Sequence, residues 1–162
     1  MPLVTRVDPS VLDPRDATLA ENPFYNLLAR RPEIMQAWAK LDDVFLGSTS
    51  LVANSTKEAA RRTLAEGAGC AYCASLGSPR RDSVDTREVL ASALAQMLVS
   101  DHRNIDEHTF AALREEFSEA QIVELVAWLC MKLGANMLGA VMQLDPATDA
   151  QIDAYARLVS ST

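Results

Sequence analysis

The chain has 162 residues, 49% of them apolar and 23% charged, with a formal net charge of −7. That composition excludes an intrinsically disordered chain. The acidic balance argues against nucleic acid as a partner, because phosphate recognition needs a concentrated basic surface.

Residues 1–21 carry Pro2, Asp8-Pro9 and Asp13-Pro14 among scattered charges, and they read as an extended arm, since each Pro disfavours helix in its predecessor. Asn22-Pro23 then opens the first helix of a single domain over 22–162, with Asn as cap and Pro in the first turn. Phe24, Leu27 and Leu28 mark its apolar face. Pro32 restarts the chain, and Ile34, Met35, Trp38, Leu41 and Phe45 follow at helical spacing up to Gly47. Ser55 or Thr56 caps a helix carrying Glu58, which Gly67 and Gly69 interrupt just before Cys70. After a loop at 77–83, Asp85 or Thr86 starts a helix with Val89, Leu90, Ala93, Leu94, Met97 and Leu98 facing inward. Asp106 caps a short helix, and Ser118 to Gln121 forms a capping box for the longest one. That helix is apolar on more than one stripe, as expected of an element that is central or shared between subunits. Its Gly134 and Gly139 permit close approach of another helix. Thr148 to Gln151 is a second capping box, followed by Ile152, Tyr155, Ala156 and Val159 on a last amphipathic helix. Nothing alternates strictly enough to read as strand, so the fold class is all-α.

A chain of this length buries roughly 70% of its unfolded surface without staples. The apolar stretch from Ile122 to Leu144 is interrupted by Glu124, Lys132, Asn136 and Gln143, so no membrane span is expected. The start of the chain lacks a basic segment followed by an apolar core, which points to the cytoplasm. Thiols are kept reduced there, and a close cysteine pair is read as redox or metal chemistry rather than a staple.

The chemistry-bearing stretch is Cys70-Ala71-Tyr72-Cys73. On a helix, side chains three apart are neighbours, so the two thiols can close a disulfide, share a proton or share a metal. A helix restarting near Cys70 places the first thiol in its opening turn, where unpaired N–H groups favour the thiolate. Glu58, twelve residues earlier, can be brought back over the thiols by the intervening helix and its Gly67-Ala68-Gly69 break. Cys130 reads as a core residue of the longest helix. His102 and His108 lie in charged, helix-end surroundings, and neither zinc nor any cofactor is expected. Arg61-Arg62 and Arg80-Arg81 read as solvated helix edges.

Glu58, the Cys-x-Tyr-Cys motif and the segment from Phe110 to Leu125 together resemble the carboxymuconolactone decarboxylase family in its AhpD-like (alkylhydroperoxidase D-like) branch, over roughly 22–144. The resemblance implies an all-helical subunit forming homo-oligomers, often trimers or hexamers, with a redox-active Cys pair in a helical hairpin. It implies that Cys73 attacks, Cys70 resolves and Glu58 relays protons, with a hydroperoxide or a thiol/disulfide partner as substrate. One position departs from the pattern: the family's His four residues after the second Cys is Gly77 here. General acid–base assistance of that kind contributes about 10²–10⁴-fold, so disulfide exchange is the easier chemistry to accept. The alternatives are a non-catalytic scaffold or small-molecule binder on the same fold, or a non-redox lactone decarboxylase.

Overall fold

A computed structural model describes residues 3–160 of the chain. The described residues form an all-α fold with nine α-helices. They are α1 (Pro14–Leu19), α2 (Pro23–Leu28), α3 (Pro32–Leu46), α4 (Asn54–Ala68), α5 (Ala71–Ser75), α6 (Thr86–Asp101), α7 (Glu107–Glu116), α8 (Glu119–Val141) and α9 (Asp149–Ser160).

The caps explain most boundaries. Asn22, Asp85 and Asp106 each accept backbone N–H groups at the starts of α2, α6 and α7. Both halves of the Ser118/Gln121 capping box are made. At α9, Thr148 and Gln151 exchange the same reciprocal pair. The segment expected to be an extended arm is instead partly helical: Pro9–Val11 is a 3₁₀ turn and Pro14–Leu19 is α1. In both cases the Asp of the Asp-Pro pair is the cap and the Pro is the first helical residue, where its missing N–H costs nothing. The segment is tied to its own chain by Asn26, whose amide bonds Val7 N–H, Val7 C=O and Ala20 C=O.

The central helix is α4. It packs chiefly against α6 and α8, and also against α5 and α9. The main core joins Ala60 and Leu64 of α4, Ala91, Leu94 and Ala95 of α6, Leu113 of α7, and Ile122, Leu125, Trp128 and Leu129 of α8. On α6 Leu90, Leu94 and Leu98 face the core as expected, but Val89 and Ala93 are exposed and Glu88, Ala91 and Ala95 are buried instead. Glu88 can be buried because Ser83 and Arg80 hydrogen-bond its carboxylate. The start of α4 also differs from expectation: it begins at Asn54, after an N-cap Ala53 that makes no side-chain bond.

Helix α4 is also the most charged part of the core, since Lys57, Glu58 and Arg61 are all buried. Removing ions from water costs several kcal/mol each unless they are paired. Lys57 meets Glu124 of α8, Ser50 and the Phe45 carbonyl. Glu58 and Arg61 meet each other. Helix α4 runs through Gly67, where a Cβ would strike Val99 of α6, and ends at Gly69 in the left-handed conformation (φ +70°).

By length and composition α8 could cross a membrane. Within this fold one side of it lies on α4, and its three charges are paired, Glu119 with Arg114, Glu124 with Lys57 and Lys132 with Asp42. It is not surrounded. Val123, Ala127, Cys130, Gly134, Met137 and Val141 form an exposed row, so Cys130 is a surface thiol rather than the expected core residue. Those six positions are spaced 4-3-4-3-4, the same spacing a buried seam uses, so apolar periodicity alone could not tell the two faces apart.

Candidate functional site: the Cys70–Cys73 pair and the Glu58 cluster

The left-handed Gly69 turns the chain out of α4 and directly into α5. Cys70 is the N-cap of α5, and its Sγ accepts the Cys73 N–H at 3.2 Å. The two residues are joined as a disulfide, with their Cα atoms 5.2 Å apart. Cys70 is fully buried, while Cys73 retains 8% of its exposure. Gly139 of α8 lies against the sulfurs: a Cβ there would stand 2.7 Å from Cys70 Sγ and 3.5 Å from Cys73 Sγ. The α8–α9 connection is tied to α5 as well, because Ser75 Oγ accepts the Ala147 N–H at 2.8 Å. The pair therefore sits at the meeting point of α4, α5 and α8, at a distance compatible with a redox-active C-x-x-C.

Glu58 is close in the fold but does not hydrogen-bond to a sulfur. Its carboxylate accepts Arg61 Nε at 2.7 Å and Arg61 Nη2 at 2.9 Å, a bidentate pair. It also accepts Arg62 Nε at 2.8 Å and the Tyr155 hydroxyl at 2.6 Å. Arg61 Nη1 then donates to the Cys73 carbonyl at 2.9 Å. The link between Glu58 and the thiol pair thus runs through the Arg61 guanidinium, rather than by the direct approach expected from the sequence. Burial alone would push the Glu58 carboxyl up; the hydrogen bonds and positive charge of Arg61, with Arg62 and Tyr155, outweigh it and hold the carboxyl below the usual range. Burial, with Glu58 adding to it, pushes the Tyr155 hydroxyl well up, so it remains a donor. Burial likewise pushes Tyr72 up to about 12, against the pull of Arg61 and Arg6.

The departure at Gly77 has a structural counterpart. Gly77 has φ +149°, and a Cβ there would stand 2.9 Å from the Arg62 guanidinium. The space a side chain would enter at this position is filled by Arg62 of α4, whose guanidinium also bonds Glu58 one turn earlier on the same helix.

No family model, curated protein or solved structure matches this chain. The site therefore rests on its own geometry.

The structure brings Cys70, Cys73 and Glu58 into one region and adds Arg61, Arg62, Tyr155 and Gly139. The two arginines are not solvated helix edges: Arg61 is buried, and both grip a carboxylate one turn earlier. Their i+3 and i+4 spacing from Glu58 was the available signal. Tyr155 stands 97 residues from its partner and leaves no local trace. His102 and His108 are both exposed, and no group of three or more His, Cys, Asp or Glu among the described residues could hold a metal.

Proposed function

We propose that this chain is a thiol–disulfide oxidoreductase of the AhpD-like kind, working through Cys70 and Cys73. The observation that carries the reading is the closed pair at the start of α5, with Cys73 the more exposed residue of the two and Cys70 Sγ held by a backbone N–H.

The exchange follows from that asymmetry. In the reductive half, an external thiolate attacks Cys73 Sγ, the S–S bond breaks, and Cys70 leaves as a thiolate stabilised by the Cys73 N–H. A second external thiolate attacks its partner's sulfur in the mixed disulfide, releasing Cys73. In the oxidative half, Cys73 thiolate attacks a substrate disulfide and expels one substrate thiol. Cys70 thiolate then closes on Cys73 Sγ and expels the other. Glu58 acts here as a positioning residue, because every stabilised form of its carboxylate is the charged one bound to Arg61. Hydroperoxide reduction is the less favoured activity, since the space beside Gly77 is taken by the Arg62 guanidinium rather than by an imidazole.

The test is thiol trapping by mass spectrometry. With oxidised glutathione, reduced Cys70→Ser should hold one glutathione on Cys73, whereas Cys73→Ser should hold little on Cys70. Two thiols that stay unreactive in the folded, reduced protein would overturn the reading.

The same reading includes a homo-oligomer. Its support is the exposed row on α8, which has the heptad spacing of a helix–helix seam and small residues at Ala127 and Gly134. Met137→Glu should then lower the sedimentation coefficient; an unchanged monomeric value for both proteins would remove the oligomer.

A further inference from the structure

A cavity of about 240 Å³ opens beside the Glu58 cluster, between α4, the end of α5, the loop before α6, and α9. Its walls include Glu58, Arg62, Leu76, Arg80, Tyr155 and Val159. It is smaller than the roughly 300–1,000 Å³ of sites for drug-sized ligands, so its occupant is small. Neither cysteine lines it, and what it binds is independent of the redox reading.

Three observations narrow the occupant. The first concerns charge. Glu58 carries one negative charge against the two cations Arg61 and Arg62, while Arg80 is balanced by Glu88, so one positive charge is left over beside the cavity. Arg61 is buried, and a surplus of positive charge that water hydrates poorly favours a bound anion. The second concerns donors that a ligand can reach. Arg62 gives Nε to Glu58 and reaches the Ser78 carbonyl at 3.5 Å through Nη1. Arg80 bonds Glu88 through Nη1 at 3.2 and 3.5 Å. The Nη2 group of each arginine makes no hydrogen bond among the described residues. Both side chains line the cavity and remain accessible, 22% exposed for Arg62 and 44% for Arg80. The Glu58 carboxylate leaves these donors free, because each of its oxygens already accepts two hydrogen bonds from Arg61, Arg62 and Tyr155. The third is the rest of the wall. Leu76, Val159 and the Tyr155 ring supply apolar surface, which favours a ligand with a hydrocarbon part over a bare inorganic ion.

We propose that this cavity binds a small carboxylate with a short apolar tail. The carboxylate accepts from the Arg62 and Arg80 guanidinium groups, whose planar forks match a planar oxyanion, and the tail lies along Leu76 and Val159.

Isothermal titration of the full chain with butyrate, butyramide and sulfate at constant ionic strength tests this. Butyrate is expected to bind saturably at one per chain. Butyramide, of the same shape without the charge, should bind at least about tenfold more weakly, the loss of one charge-assisted hydrogen bond. Sulfate should also bind at least about tenfold more weakly, since it cannot use the apolar wall and brings two charges to one surplus cation. Arg80→Gln should weaken butyrate by about tenfold while leaving butyramide unchanged, which a merely structural role would not do. Arg62→Gln should weaken butyrate at least as much. The proposal is overturned if butyrate gives no saturable heat, if butyramide or sulfate binds as tightly, or if Arg80→Gln leaves butyrate affinity unchanged or weakens both ligands alike. If Arg62→Gln does not fold, the wild-type ligand series and Arg80→Gln decide the matter.

Discussion

Replacing Glu58 by Gln keeps the shape of the cluster and removes its negative charge. Arg61 is 5% exposed and would then be a buried cation without a counter-ion, beside the second cation of Arg62. Breaking a buried pair by removing one partner costs about 3–5 kcal/mol. Gln still offers a carbonyl to Arg61, and the Arg62 side chain is 22% exposed and can turn toward water, so the lower end applies. The expectation is a loss of about 3 kcal/mol at pH 7, which for a domain of this size lowers the melting temperature by roughly 6–12 °C. The pH dependence gives a second readout. The folded carboxyl sits below its ordinary value of 4.5, so the folded state binds fewer protons than the unfolded state in that window. Its contribution is complete above about pH 4.5 and is lost as pH falls through the depressed value. Urea denaturation followed by circular dichroism should therefore show a wild-type advantage that is flat from pH 8 to 5 and shrinks below. Tyr155→Phe, which removes one donor and keeps the ion pair, should cost about 1–2 kcal/mol and retain that pH dependence. A Glu58→Gln protein within about 1 kcal/mol of wild type at pH 7, or with the same acid dependence, would refute the reasoning.

Gly77→Ala should cost about 1–3 kcal/mol, because φ +149° suits glycine and the new Cβ meets the Arg62 guanidinium; pairing it with Arg62→Ala should remove only the steric part, as chemical denaturation of the single and double variants would show. Gly139→Ala should destabilise by about 1–3 kcal/mol, since its Cβ would overlap Cys70 Sγ, and a melting temperature equal to wild type would contradict that packing. Cys130 is exposed on α8, so alkylation should modify it in the folded, oxidised protein while Cys70 and Cys73 stay silent. Its rate should slow as protein concentration rises, if copies associate along that row.

The parts of this protein that were legible in its sequence are those decided within a few residues. Caps at Asn22, Asp85, Asp106, Ser118 and Thr148 depend on a side chain reaching a backbone N–H two or three positions away, and the structure makes each of these bonds. The Cys70–Cys73 contact at a helix start is local in the same sense. Asp8 and Asp13 are extended, as the Pro after each requires, but each also caps the helical turn that its Pro begins, so the segment as a whole is not an extended arm. What the tertiary structure decided is which polar groups may be buried. Arg61-Arg62 reads as a solvated helix edge, yet Lys57, Glu58 and Arg61 are interior because Glu124 and Tyr155 come to this helix from far along the chain. Glu88 is buried on α6 and Val89 exposed because Arg80 and Ser83 of the preceding loop satisfy the carboxylate. On α8 the error runs the other way: Cys130 lies on an apolar row that is exposed among the described residues. Hydrophobic patterning assumes that polarity predicts exposure, and that assumption breaks wherever a partner brought by the fold satisfies a buried charge or an apolar row is left at the surface.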